Sequence, residues 1–219
     1  VETSGTGAWG LVASDSGAIT ATRVDIKTTG PATGGVFAAT GGSVVATGAM
    51  NIDSAGVAAG SGGCGGGSAV CVVGNGSTVT GGNIASASTI QSTGNAVRFE
   101  NGANQTVNLT NANLTTSGAT SDLLSVTAAT GTSALTLKNS TATAGAGGLL
   151  LNVASGSTFA FNNDATVLTG DIKASADSTV NMTLANVSKL TGKIDPVNLT
   201  IDGTSRWDVT GNSLLNNLS

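Results

Sequence analysis

Pairs of apolar residues separated by a single position recur along this chain, and the spacing of those pairs limits its fold more than any other feature. Val97 and Phe99 are followed by Gly102 and then by Val107 and Leu109. Leu124 and Val126 are followed by Gly131, Leu135 and Leu137, and Leu151 and Val153 by Gly156, Phe159 and Phe161. Val97 to Leu124 is 27 residues, and Leu124 to Leu151 is 27 again. Upstream the same order runs through Leu11, Ala13, Gly17, Val24 and Ile26, then through Val36, Ala38, Gly41 and Val44. Further on, Gly170, Gly192 and Gly211 mark shorter units of 22 and 19 residues. A period of two means strands with one apolar face, and the Gly, Asn, Asp and Ser between them mean turns. No segment carries a 3.6-residue apolar stripe, and a helix built from Gly and Thr would be penalised at every turn.

A unit of this length holding two or three strands has no means of burying its apolar side alone. Stacking successive units about 4.8 Å apart buries it, and lets each strand bond to its equivalent in the next unit. The repeat therefore predicts one all-β domain over residues 1–219, a parallel β-solenoid with coils of about 19–27 residues, small residues inside and polar ones outside. A β-sandwich would need hairpin signals every 8–12 residues, and the pattern is more regular than that. Composition agrees. There are 33 Gly, only four Phe and two Trp, and no Tyr, which suits a thin core repeated along an axis better than a thick one. An apolar fraction of 39% with a net charge of −4 excludes a disordered chain. No apolar run approaches the ~20 residues of a membrane helix.

Much chemistry is excluded by the residues that are missing. With no His, this chain holds no Ser-His-Asp or Cys-His pair and no His-ligated zinc. Twelve acidic residues against eight basic ones argue against a nucleic-acid surface. The glycines at 62–67 do not lie between a strand and a helix with a following Lys and Thr, so they form no phosphate cradle. The carboxylates are scattered. The closest in sequence are Asp171 with Asp177, and Asp195, Asp202 and Asp208; these read as turn and surface residues. Hydrolysis by paired carboxylates needs two of them across a groove. No catalytic residue, cofactor or metal ligand set is expected, and a polysaccharide-acting β-helix enzyme is the remotest reading.

Cys64 and Cys71 lie in a Gly-rich loop at 55–71. Flexible glycines would let them close a small disulfide, and two free thiols are the alternative. The alternation places Cys71 outward between Val70 and Val72, so a bridge would staple a surface loop and leave the core untouched. Trp207 alternates with Val209 and is expected to pack the last coils rather than bind sugar.

The coils at 7–13 (Gly-Ala-Trp-Gly-Leu-Val-Ala), Gly17-Ala-Ile and Val24-Asp-Ile-Lys-Thr-Thr-Gly resemble those of pertactin-like autotransporter (type V secretion) passengers. The C-terminal segments Leu168-Thr-Gly-Asp-Ile, Ser178-Thr-Val-Asn-Met-Thr-Leu, Ser188-Lys-Leu-Thr-Gly-Lys-Ile and Leu199-Thr-Ile-Asp-Gly are similar to those near the end of such passengers. So is Ser205-Arg-Trp-Asp-Val-Thr-Gly-Asn-Ser followed by Leu214 and Leu218. The resemblance covers essentially the whole chain and implies a right-handed parallel β-helix carried to the bacterial surface by a C-terminal outer-membrane β-barrel. It implies a cut passenger, with residues 159–219 forming the coils that approach a folding-promoting segment absent after Ser219. Closely spaced cysteines fit that export route. The family's protease branch is not expected here, since there is neither His nor a Gly-Asp-Ser-Gly motif.

The resemblance and the surface of Asn, Thr, Ser and Asp lead to an adhesin of the self-associating branch. Its expected partner is another copy of itself, or a host surface protein or glycan, with no nucleic acid. Each hydrogen bond across such a contact contributes a net ~0.5–1.5 kcal/mol, and many copies multiply the effect. Asn108, Asn111, Asn113 and Thr115 form the densest polar set and are expected to share one adhesive face. Two other readings stand beside this one. One is a structural spacer that lifts an N-terminal module off the membrane. The other is an ice-binding array drawing on the pairs Thr20/Thr22, Thr78/Thr80 and Thr141/Thr143, which do not fall at a fixed place in the repeat.

Overall fold

Each apolar pair named above lies in a strand. A computed structural model describes residues 1–56, 64 and 67–219, and among these the regular structure is entirely β. Three strands make one coil. Ser88–Ser92, Val97–Ala103 and Thr106–Thr110 are followed by Ala112–Thr116, Leu124–Thr130 and Ala134–Lys138, and each strand pairs in parallel with its equivalent one coil on. The result is a right-handed parallel β-helix with three sheets of nine, eight and nine strands. The first sheet contains Ser88–Ser92, the second Val97–Ala103 and the third Thr106–Thr110.

Register follows the repeat. Val97 pairs with Leu124, Leu124 with Leu151, Leu151 with Ile172 and Ile172 with Ile194. Coil length varies more than 19–27 residues. Val36 to Val70 is 34 and Ile52 to Ile90 is 38, while Asn181 to Asn198 is only 17. The long coils absorb chain inserted between the strands Met50–Ser54 and Val70–Val73 and between Thr78–Gly81 and Ser88–Ser92; the short one has lost turn residues.

The inward residues form one contiguous apolar core from Ala13 to Leu199, filled in the middle by Phe99, Phe159 and Phe161. The rings of Phe99 and Phe159 meet edge to face at 4.8 Å. Trp207 points inward as expected, in register with Leu190, and its Nε1–H donates to Gly192 O at 2.8 Å.

The expectation that polar residues face outward fails at the corners. Ser77, Ser133, Ser140, Ser157 and Ser188 are all buried. Where the chain bends from one sheet to the next, a backbone N–H loses its carbonyl partner in the neighbouring coil, and a serine hydroxyl takes the place. Ser133 Oγ accepts from Gln105 N–H at 3.2 Å and donates to Thr130 O at 2.8 Å. Ser140 Oγ accepts from Ala112 N–H and donates to Lys138 O; Ser188 Oγ accepts from Thr166 N–H and donates to Ala185 O. Buried backbone groups are thus satisfied by the shortest hydroxyl side chain available.

Asp202 does the same for the exposed turn after Leu199. Its carboxylate accepts from the N–H groups of Asn186, Thr204 and Ser205. These bonds, Asn186 first, hold its carboxyl well below the usual carboxylate range. A depressed folded-state pKa stabilises above the unfolded value of about 3.9 and fades as pH falls below it toward the folded one. Asp202→Ala is therefore expected to be less stable than the parent at neutral pH, with the gap narrowing at about pH 3 and further below. Urea denaturation of both proteins across that range checks it; a gap independent of pH would contradict it.

Candidate functional site

The three outward faces differ in chemistry. On the second sheet, the column Val12, Phe37, Cys71, Arg98, Ser125, Asn152 faces out. Trp9 lies over Gly34, where a Cβ would come within 2.1 Å of the indole, and meets Phe37 with ring centroids 5.0 Å apart. Cys64 and Cys71 form the expected disulfide, with Cα atoms 6.0 Å apart. Val70 and Val72 join the core cluster and Cys71 does not, so Cys71 does point away from the axis. It is nevertheless fully buried, as is Cys64. The bridge ties Cys64 against the outer side of the second sheet. Of the Gly-rich loop at 55–71, residues 57–63, 65 and 66 lie outside the described residues. A loop this short stabilises by roughly 2.5 kcal/mol. Replacing both cysteines with Ser is expected to cost about that much in denaturant unfolding, and a loss of under about 1 kcal/mol would contradict it.

The first sheet is charged at its ends and neutral in its middle. At the N-terminal end, Glu2, Asp25, Lys27, Asn51, Asp53 and Gln91 line a shallow concavity of about 340 Å³. Asp25 is bonded by Arg23 at 2.6 Å and 3.0 Å and by Asn51 at 2.9 Å. The Arg23 hydrogen bond and then that of Asn51 hold its carboxyl below the usual range, so it stays ionised and is unsuited to act as a general acid. At the other end Asp208 is bonded by Lys189 and Arg206, which lower its carboxyl in turn. Two of the other acids singled out in the sequence are also committed. Asp177 accepts from Ser155 Oγ, and Asp171 accepts from Lys193 N–H at 2.9 Å. Asp195 stands outward in register with Lys173.

The third sheet carries charge only at one edge, at Lys138 and Asp164. Two outward columns run across it. One passes through Ser43, Thr78, Thr106, Ala134, Ala160, Asn181 and Asn198, and the other through Thr20, Val45, Thr80, Asn108, Thr136, Asn162, Thr183 and Thr200. Neither column contains a charge. The nearest, Lys138 and Asp164, sit where the sheet turns into the next coil and pair with each other at 3.4 Å. The side chains of Thr80, Asn108, Thr136, Asn162 and Thr183 make no hydrogen bond to other described residues, so five consecutive coils present unused donors and acceptors at one position. The absence of charge along this face is visible only once the register is known.

The four residues expected to share an adhesive face do not share one. Asn108 lies on the third sheet, and Asn113 and Thr115 on the first. Asn111 forms the corner between them at φ 53°, its amide donating to Ile84 O at 3.3 Å. Asn113 Oδ1 already accepts from Thr141 Oγ1 at 2.7 Å. The threonine pairs divide similarly, Thr20 and Thr78/Thr80 belonging to the third sheet and Thr141/Thr143 to the first.

No protein-family model, curated protein or solved structure matches the chain.

Proposed function

We propose that this chain is an adhesive β-helix of the bacterial cell surface, an autotransporter-type passenger that binds other copies of itself through the outward face of the third sheet. The observation that carries the reading is the ladder Thr80, Asn108, Thr136, Asn162 and Thr183, uncharged and with no side-chain hydrogen bond to other described residues in five successive coils. A Thr hydroxyl and an Asn amide each both donate and accept. A face made of such groups is complementary to itself under a two-fold axis, which is what a contact between identical copies requires. A chain with net charge −4 repels its copies least where it carries no charge.

Nine strands at about 4.8 Å by two columns make a strip roughly 40 Å long and 10 Å wide, or about 400 Å² per copy. That is half of what a stable pairwise complex buries on each partner, roughly 800 Å². Single contacts are weak and many copies on facing cells make them strong. The test is settling of cells that do not clump by themselves once they display the chain. Rapid settling supports the reading. Suspensions that stay turbid at high display overturn the homotypic contact and move the adhesive partner to a host protein or glycan.

A further inference from the structure

Beside the Cys64–Cys71 bridge lie Glu100 and Arg98, which the proposed contact face does not use. Coil stacking sets Glu100 in register with Val73, two residues beyond Cys71, and its carboxylate accepts the Cys64 N–H. The two sulfurs and a Glu100 carboxylate oxygen all lie within 4.8 Å of one another. Arg98, in register with Cys71, brings its Nε to 3.5 Å from the same carboxylate. That Nε is buried and has no hydrogen-bond partner among the described residues.

We propose that Cys64, Cys71 and Glu100 form a redox-gated site for a thiophilic metal ion, with zinc(II) as the reference ion, so that Cys64 is held to the second sheet by the disulfide when oxidised and by the metal when reduced. Zinc takes thiolate sulfur at about 2.3 Å and carboxylate oxygen at about 2.0–2.2 Å in a tetrahedron, which puts two ligating sulfurs roughly 3.8 Å apart. The three atoms lie within 4.8 Å of one another with the disulfide closed, and breaking the bond lets the sulfurs separate to the ~3.8 Å that zinc needs. Two thiolates, one carboxylate, Zn²⁺ and the Arg98 guanidinium sum to zero charge, which favours the ion in a site whose cysteines are both buried. The fourth position is left for water. Calcium and magnesium prefer six or more oxygens, so this ligand set selects against them. The third ligand comes from the next coil, 36 residues after Cys64.

The two states exchange by balanced chemistry. A dithiol reductant is oxidised to its disulfide and passes two electrons and two protons to the Cys64–Cys71 bond, giving two thiols. Zinc binding then releases those two protons as it takes the thiolates.

The experiment reduces the full chain with a dithiol, removes the reductant without air and desalts after adding zinc. One zinc per chain is expected to remain with the reduced protein, and none with the oxidised protein or with Cys64→Ser/Cys71→Ser. In the reduced parent, zinc is expected to slow alkylation of both cysteines. Glu100→Gln, which keeps both cysteines, is expected to weaken zinc retention about 10-fold or more and to lose much of that protection. Zinc retention by the reduced parent no greater than by the double Ser variant would overturn the site. Glu100→Gln binding as tightly as the parent would overturn the three-ligand assignment. The alkylation readout on the parent does not depend on any variant folding.

Discussion

Phe161→Ala is expected to lower stability by about 3–5 kcal/mol, among the largest effects of any single substitution in this chain. Phe161 is fully buried and in register with Leu135 in the preceding coil and Met182 in the following one. In a globular core a cavity partly collapses as neighbouring elements shift. Here the hydrogen-bond ladders on both sides hold the coils at about 4.8 Å, so little collapse is available and most of the lost packing is felt. Because a solenoid's stability is a sum over coils and their interfaces, the loss is expected to fall on coils at and beyond 134–161 before it reaches those near the N-terminus. Thr136→Ala, next to Leu135 in the preceding coil and facing outward, is expected to change stability by no more than about 0.5 kcal/mol. Urea unfolding followed by circular dichroism and by the emission of Trp9 and Trp207 checks both. A Phe161→Ala loss under about 1 kcal/mol would mean that the core packs differently from the register described.

The second large effect concerns association rather than stability. Asp substituted together at Thr80, Thr136 and Thr183 is expected to abolish settling of displaying cells while leaving the fold intact. The three positions lie in alternate coils of one outward column, so within a chain the new charges are roughly 10 Å apart and largely screened at physiological salt. When two such faces meet, like charges are forced together in a contact that excludes water, and each juxtaposition costs several kcal/mol. That exceeds what the remaining hydrogen bonds of a 400 Å² strip supply, at a net ~0.5–1.5 kcal/mol each. The same charge added at Ser125 and Thr127 on the second sheet is expected to leave settling unchanged.

The strands and the coil architecture were legible in the sequence because both rest on local alternation, which a strand cannot escape without turning its apolar side to water. Four features were not legible. Asn108 and Asn113 are five residues apart yet on different sheets, because Asn111 turns the chain between them. The inserted segments that lengthen the coils at Val36–Val70 and Ile52–Ile90 carry no apolar period of their own, so the spacing of Gly and Val residues understated those coils. Buried serines such as Ser133 and Ser188 are chemically the same as outward ones, and only the bending of the backbone at a corner assigns them inward. Glu100 beside Cys64 is a product of stacking alone.

Complementary charge provides the most direct test of the adhesive face. Cells displaying the triple Asp variant at Thr80, Thr136 and Thr183 are mixed with cells displaying Lys at the same three positions. Each population alone is expected to stay suspended, and the mixture to settle into aggregates containing both, with salt weakening the effect. Settling of the Asp variant alone at the rate of the parent chain would contradict the assignment of the third sheet as the contact face.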